Sequence, residues 1–373
     1  MPATALVVTG GIIGGLQIPS AQASPSLPPR TPAQLLADIS QDQKVPPLTG
    51  TVVETTSLGL PQLPNAGNPT SLASLLTGSH TLKVYYQNPQ HFRLSVPQTM
   101  SETDVIRNGN TVWLWDSSQN SVTEITAPPG TPRHPVEKKL PTGPVLTPQQ
   151  AANEILKAVG KTTTVGVQSN VMVAGDAAYQ ITLAPKDHRS LIGRVQIAVD
   201  AKYGMPLRVQ VFAKGAASPA FQVGYTALSF TAPAAANLAF TPPPGAKVDK
   251  TNLSDHAGQQ QSGQPSTGSG FGSYGKGWLT VASLPQKDLF SSFGTGPGAS
   301  RQPASSSAGS NVLGGDSQQV LSALLGAAKP VSGSWGSGTL LQTSLVSVLM
   351  TGGEVYIGAV QPSVLYAAVG HTS

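Results

Sequence analysis

An α+β fold dominated by antiparallel sheet is predicted by three features of the 373-residue sequence. The first is Leu191–Lys214, LIGRVQIAVDAKYGMPLRVQVFAK, which alternates strictly on both sides of a tight connection. Leu191, Val195, Ile197 and Val199 share one face, and Leu207, Val209 and Val211 repeat it after the Asp200–Met205 turn. Arg194, Gln196, Asp200, Arg208, Gln210 and Lys214 take the other face. Period-two alternation gives a sheet one covered face and one wet face. The second feature is Asn108-Gly109 between Asp104–Ile106 and Thr111–Trp115, the strongest short hairpin signal. The third is a succession of short strand-like segments bounded by turn residues.

In chain order, Thr31-Pro32 supplies an N-cap and a proline at the first helical position. Leu35, Leu36 and Ile39 make the helix's apolar stripe, and Pro46-Pro47 ends it. Gly50–Thr56 reads as a strand and Ser71–Thr77 as a short helix. Thr81–Tyr86 alternates, and Asn88-Pro89 turns it into Phe92, Leu94 and Val96. Ser117–Asn120 is a polar turn before Val122–Ile125, and Ala127–Pro148 is a proline-heavy connector. Thr147-Pro148-Gln149-Gln150 is a capping box that opens a helix carrying Ala151, Ile155, Leu156 and Val159 on one face, closed by Gly160. Strands resume at Thr163–Val173, Ala178–Leu183, the 191–214 pair and Phe221–Phe230. Farther on, Trp278–Leu284 is a strand, Ser317–Ala328 a helix with Val320, Leu321, Leu324 and Leu325 on one stripe, and Pro362 opens a last short helix. Thr339–Met350 and Val355–Val360 form a hairpin across Thr351-Gly352-Gly353, expected to pair with Trp278–Leu284 and to pack on the 317–328 helix.

Composition narrows the function classes. With 22 basic and 17 acidic residues the net charge of +5 is spread thinly, and no basic run exceeds Lys138-Lys139, so there is no nucleic-acid stripe. Cysteine is absent, which excludes disulfides, thiolate metal sites, a cysteine nucleophile and a lipidated N-terminal cysteine. Ala5–Ile18 is an apolar run of signal-peptide length followed by Ala21-Gln22-Ala23, an A-x-A cleavage pattern. Only Met-Pro-Ala-Thr precedes the run, with no basic residue. The expectation is an exported chain cut after Ala23, the alternatives being an upstream start or an uncleaved anchor.

Three separated pieces resemble the LolA/LolB-type outer-membrane lipoprotein-sorting superfamily, which includes MucB/RseB and mycobacterial lipid carriers. They are Asn108–Asp116 (NGNTVWLWD), Tyr179–Val211, and the closing Phe240–Val248 (FTPPPGAKV), and the helix and strand of Thr31–Thr56 fit the same order. The resemblance covers roughly residues 31–250. It implies a curved antiparallel half-barrel sheet wrapped over helices, with an apolar cavity that takes acyl chains and performs no chemistry. The expected organisation is a signal peptide over 1–23, a LolA-like lipid- or lipoprotein-binding domain over 24–253 and a flexible linker over 254–277. A small α/β appendage follows over 278–373, with a disordered segment near 291–310.

A search for catalytic or metal chemistry finds little. None of His80, His91, His134, His188, His256 and His371 lies three or four residues from another, so zinc-ligand spacing is missing. Asp187-His188 reads as a solvated turn, and Asp200 as a turn former. Glu124 and Asp176 fall at strand ends or turns, and nothing in the sequence pairs two carboxylates across one cleft. VVTGGIIGG (7–15) lacks the G-x-G-x-x-G spacing, Gly268–Gly272 is a weaker lookalike inside a Ser/Gly linker, and no G-x-S-x-G occurs.

What remains is apolar. The cavity candidates are Val84, Tyr86, Phe92, Leu94, Trp113, Trp115, Tyr179, Val195, Ile197, Val199, Leu207, Val209 and Val211. Trp113 and Trp115 share one face and Val112 and Leu114 the other, but alternation does not say which pair looks inward. Burying each methylene contributes about 0.8 kcal/mol, so a twelve-carbon chain gains roughly 8–10 kcal/mol before ordering costs. The expected function is a non-enzymatic extracytoplasmic carrier or binder of lipid or lipoprotein acyl chains, without cofactor, free or anchored at the outer face of the cytoplasmic membrane. The alternative is a MucB/RseB-like regulator engaging a membrane anti-sigma factor.

Overall fold

The computed structural model describes residues 27–40, 45–60, 77–126, 147–150, 152, 160–252, 271–288, 317–369 and 371. The signal segment, the helix expected from Ser71, the 127–146 connector, most of the helix after Thr147 and the low-complexity stretches lie outside these residues.

Twelve strands form one open sheet in the order β12-β6-β5-β4-β3-β2-β1-β11-β10-β9-β8-β7. They are β1 (Leu48–Ser57), β2 (Thr77–Asn88), β3 (His91–Pro97), β4 (Glu102–Asn108), β5 (Thr111–Asp116), β6 (Ser121–Thr126), β7 (Thr163–Val173), β8 (Asp176–Pro185), β9 (Ile192–Asp200), β10 (Pro206–Ala213), β11 (Phe221–Ser229) and β12 (Lys247–Asn252). Hairpins form at the sites expected. Asn108 and Thr111 face each other across a turn in which Gly109 has φ +64°, a conformation costly for any side-chain-bearing residue.

Every ladder in this sheet is antiparallel except one. β12 runs parallel to β6, Lys247 opposite Ser121 and Asn252 opposite Thr126, a departure from the all-antiparallel sheet expected. It follows from chain direction: after β11 the chain crosses behind β3–β5 and returns at the Asn120 turn, where the Lys247 amide donates to the Asn120 carbonyl at 2.9 Å. The sheet is open, and one end of it curls. Cα atoms of β7 come within 8 Å of β11 although β8, β9 and β10 separate them, where a flat sheet would hold them about 19 Å apart. Register shifts in the β1–β11, β9–β10 and β7–β8 ladders supply the local bends.

The main core lies on the face of Leu48, Val52, Val84, Ile181, Ile197, Leu207 and Val209. Helix α1 (Pro32–Ser40) adds Leu35 and Ile39 to it. Its start is a reciprocal capping box: the Thr31 amide donates to Gln34 Oε1 and the Gln34 amide to Thr31 Oγ1. Thr147 and Gln150 repeat the device, with 148–150 helical and Ala152 fully buried in the same core. Gly50 has a packing reason: a Cβ there would stand 2.7 Å from the Tyr225 ring, which crosses the inner face at that point.

The C-terminal part is a six-stranded antiparallel sheet in the order β13-β14-β18-β17-β16-β15. Its strands are β13 (Gly272–Tyr274), β14 (Val281–Pro285), β15 (Lys329–Gly333), β16 (Gly336–Gln342), β17 (Ser347–Thr351) and β18 (Glu354–Gly358). As expected, β14 pairs with β18 and the helix α3 (Ser317–Ala327) packs near β16. Three expectations change. The stretch Thr339–Met350 is two strands rather than one, because Thr343 Oγ1 accepts the amides of Leu345 and Val346 and folds the chain back. Trp278 sits in a single helical turn, Gly277–Leu279, ahead of the strand it was expected to open. The end of the segment expected as linker is ordered as β13.

The two sheets join at one end of the large one. The Leu191 amide donates to Ala359 O at 2.9 Å, the Gln361 amide to Arg189 O at 2.7 Å, and the Ser344 amide to Leu58 O at 2.9 Å. Trp278 is 7% exposed, belongs to the main core, and donates Nε1–H to Thr163 Oγ1 at 2.7 Å. A second core within the small sheet gathers Val281, Leu349, Tyr356 and Val360 with Val364, Leu365 and Ala368 of α4 (Pro362–Ala368).

Candidate functional site

Residues directly opposite in an antiparallel ladder share a face. On the inner face, Val84 opposes Leu94, Leu94 opposes Val105, and Val105 opposes Leu114. One step along, Tyr86 opposes Phe92, Phe92 opposes Arg107, Arg107 opposes Val112, and Val112 opposes Ile125. The result is two apolar rows across β2–β6 with one arginine in them. Tyr86, Phe92, Leu94, Val105, Leu114 and Ile125 are only half-buried there. The same face over β8–β10 is closed core: Tyr179, Val195, Ile197, Val199, Leu207 and Val209 are at most 2% exposed, and Val211 is half-buried.

The thirteen apolar candidates therefore divide three ways. Tyr86, Phe92 and Leu94 stand on the accessible part of the inner face, with Val84 buried opposite Leu94. The six buried residues of β8–β10, with Val211 beside them, form its sealed continuation. Trp113 and Trp115 do not join either set. They oppose Glu124 and Val122 on the outer face and pack against Phe240, ring centroids 6.0 and 6.2 Å away. Phe240 reaches them because the short helix α2 (Ala235–Leu238) lies against β3 and β4 on that side. Beside Ile106 on the same outer face, Arg93 pairs with Asp104, which is fully buried.

Arg107 is the charged residue of this face that sequence reading missed. Its neighbours Asp104, Val105 and Ile106 put a charge and an apolar residue on each face, so the alternation names no inner side. It is 8% exposed; Nε donates to Gly109 O at 3.2 Å, and Nη1 is buried with no hydrogen-bond partner.

Among the described residues, the polar groups elsewhere do not assemble a reaction centre. Asp187 is held by Arg189, which donates Nε–H and Nη2–H to its carboxylate at 3.0 and 2.7 Å, and its carboxyl is drawn down to about 2. The carbonyl of His188, its sequence neighbour, accepts from Lys214 Nζ and Gln361 Nε2. Glu124 lies 3.7 Å from Lys250 Nζ. Among the described residues no group of three or more His, Asp or Glu side chains could hold a metal ion, and no helix is long and apolar enough to cross a membrane.

Asp200 is the turn former expected: Oδ1 accepts the amides of Lys202 and Tyr203 at 2.9 and 2.5 Å. Burial pushes its carboxyl up, outweighing these bonds, with the Asp176 charge adding to the rise. A carboxyl raised in the folded state contributes stability below its unfolded value that is lost as pH rises through the folded value. Asp200→Asn, whose amide oxygen can accept the same bonds, is expected to leave neutral-pH stability level or slightly higher. The difference between variant and parent should shrink towards pH 3.5. Urea unfolding from pH 3.5 to 7.5 checks this, and a variant that is less stable at pH 7.5 than at pH 3.5, relative to the parent, refutes it.

Among solved structures, the chain is similar to the Pseudomonas aeruginosa MucA/MucB complex structure at 11% identity and a TM-score of 0.38, covering 90% of this chain and 95% of that one. It is similar to a LolA superfamily protein from Nitrosomonas europaea at 10% identity and a TM-score of 0.24, covering 57% and 99%. A putative outer membrane lipoprotein-sorting protein domain from Vibrio parahaemolyticus gives 12% identity and a TM-score of 0.19, covering 53% and 89%. The structural neighbours include proteins of the LolA and MucB type. No family model and no curated protein matches the chain.

Proposed function

We propose that this chain is an extracytoplasmic, non-enzymatic binder of lipid or lipoprotein acyl chains, held against the inner face of β2–β6. The observation that carries the reading is the half-buried apolar surface of Tyr86, Phe92, Leu94, Val105, Leu114 and Ile125, continuous with a face that is sealed core elsewhere. Such a surface gains about 25 cal/mol for each Å² of apolar area that a ligand removes from water. In this reading 24–253 is the binding unit, exported by the N-terminal segment, and 278–373 is an extension that braces one end of it.

Native mass spectrometry of protein purified from its own host is expected to show adducts of acyl-lipid mass that disappear on delipidation, and the delipidated chain is expected to take up added decanoate. A delipidated chain that neither retains nor takes up any acyl compound overturns the proposal. Leu94→Asn places a polar amide in the centre of the surface and is expected to weaken decanol uptake about tenfold, since an unpaired polar group against apolar ones costs about 1–3 kcal/mol.

A second reading, a MucB/RseB-like regulator of a membrane anti-sigma factor, is favoured by the small sheet. Its edge strand β15 is unpaired on one side among the described residues, beside an open groove of about 480 Å³ lined by Pro330, Val331, Ser332, Ser337, Gly338 and Thr339. A free edge of this kind accepts an extended peptide by adding a strand. Crosslinking in the membrane fraction separates the readings: a stoichiometric membrane-protein partner supports regulation, and exchange of free lipid supports carriage.

A further inference from the structure

We infer that the ligand of the inner face is an anionic amphiphile, an acyl chain ending in a carboxylate or a phosphate, and that Arg107 is the residue that receives its charged end. This rests on the acyl-binding reading above and narrows it, because the acyl chains of a lipoprotein carry no charge of their own. Arg107 stands between Phe92 and Val112 in the register, with Val105 two residues before it on the same strand face. It is more than nine-tenths buried. The only acceptor it meets among the described residues is a neutral carbonyl, Gly109 O, and its Nη1 has none.

A guanidinium is charged at every physiological pH, so it cannot escape burial by losing its proton. Buried cations are ordinarily paired, and one left short of partners is unfavourable until an anion arrives. The other arginine of this half of the sheet among the described residues has its partner: Arg93 is bound to Asp104 on the opposite face. The carboxylates of β4–β6 are likewise engaged elsewhere. Asp104 binds Arg93, Glu102 lies 3.7 Å from the same guanidinium, Asp116 accepts the amides of Ser118 and Gln119, and Glu124 lies by Lys250 on the outer side. Arg107 is thus a fork-shaped donor set in an apolar row with no protein carboxylate assigned to it. A carboxylate or phosphate matches that fork, and the apolar row on either side matches the chain attached to it.

Isothermal titration of the full chain at pH 7.5 with decanoate, decyl phosphate, 1-decanol and acetate tests this. The two charged amphiphiles are expected to bind about tenfold or more tightly than decanol, the factor that a charge-assisted hydrogen bond of about 1.5–3 kcal/mol supplies, and acetate to bind far more weakly. Arg107→Gln should remove most of the preference for the charged head, and Arg107→Lys should keep part of it. Equal affinity of the parent for decanoate and decanol overturns the role of Arg107 and leaves the acyl reading standing. Binding of acetate as tight as decanoate overturns it in favour of a small-anion site. Failure of all amphiphiles to bind overturns the acyl reading itself. Should Arg107→Gln not fold, the parent's charged-to-neutral ratio and the Arg107→Lys variant decide.

Discussion

Trp278→Ala is expected to lower the unfolding free energy by about 3–5 kcal/mol, the range for truncating a buried tryptophan. The residue lies outside the large sheet in sequence yet is part of its core, so the loss falls on the junction between the two sheets. The variant removes an indole that is 7% exposed and strands the Thr163 hydroxyl at the start of β7. Trp278→Phe keeps much of the packing and loses the Nε1–H···Oγ1 bond, and is expected to cost about 1–3 kcal/mol from the unsatisfied buried hydroxyl together with the smaller ring. Urea unfolding gives the magnitudes, and hydrogen exchange shows where they act: amides of β13, β14 and the start of β7 should exchange faster in Trp278→Ala. A loss below about 1 kcal/mol, with unchanged exchange at those strands, would mean that the backbone bonds at Arg189, Leu191 and Ser344 hold the sheets together without it.

The second large effect concerns Arg93. Removing it leaves Asp104, which is fully buried, as an uncompensated charge, and breaking such a pair from one side costs about 3–5 kcal/mol. Glu102, 3.7 Å from the same guanidinium, loses its partner as well. The pair is already imperfectly satisfied, since Arg93 Nε and Asp104 Oδ1 have no hydrogen-bond partner. Replacing both residues, Arg93→Leu with Asp104→Leu, is therefore expected to recover most of the loss, because apolar residues of similar size can replace a buried ion pair with little cost. A double variant no more stable than Arg93→Leu alone would locate the effect in packing beneath α2 instead of in charge. The cycle of two single variants and the double, measured by urea unfolding, separates these outcomes.

The parts of this fold that were legible in the sequence are those where local chemistry has one solution. Asn108-Gly109 fixes its hairpin, Thr31/Gln34 and Thr147/Gln150 cap their helices, and Val195–Val211 alternates cleanly because one face is core. The parts that were not legible each have a physical reason. Lys247–Asn252, KVDKTN, is polar on both faces and pairs parallel at an edge, so no alternation marks it. Lys329–Gly333 contains Pro330, which demotes a strand in any reading and is tolerated here because β15 is an edge. The Thr343 turn is made by a side-chain hydroxyl inside a run that otherwise reads as strand.

The candidate site shows the same division. Alternation groups Trp113 with Trp115 and Val112 with Leu114, but choosing the inner pair requires knowing where Phe240 folds, more than a hundred residues later. That Val84, Tyr86, Phe92 and Leu94 share one face is legible in the sequence because β2 and β3 are joined by a two-residue turn that fixes their register. Arg107 is not, because β4 carries a charge on each face and only the assembled sheet distinguishes the arginine inside from the aspartate outside.

The parallel strand β12 also bears on how the chain behaves in a crowded compartment. A twelve-stranded open sheet offers two borders along which another molecule could zip on and propagate into fibres. On one border the residues presented are Lys247, Asp249 and Lys250, alternating in sign and carried on a short strand. An approaching copy would have to strip water from these charges before gaining a single backbone bond, which is how natural sheets discourage lateral growth. By laying that strand along β6, whose Ser121–Thr126 segment has a single charge, the chain covers a rim that would otherwise stand open to pairing.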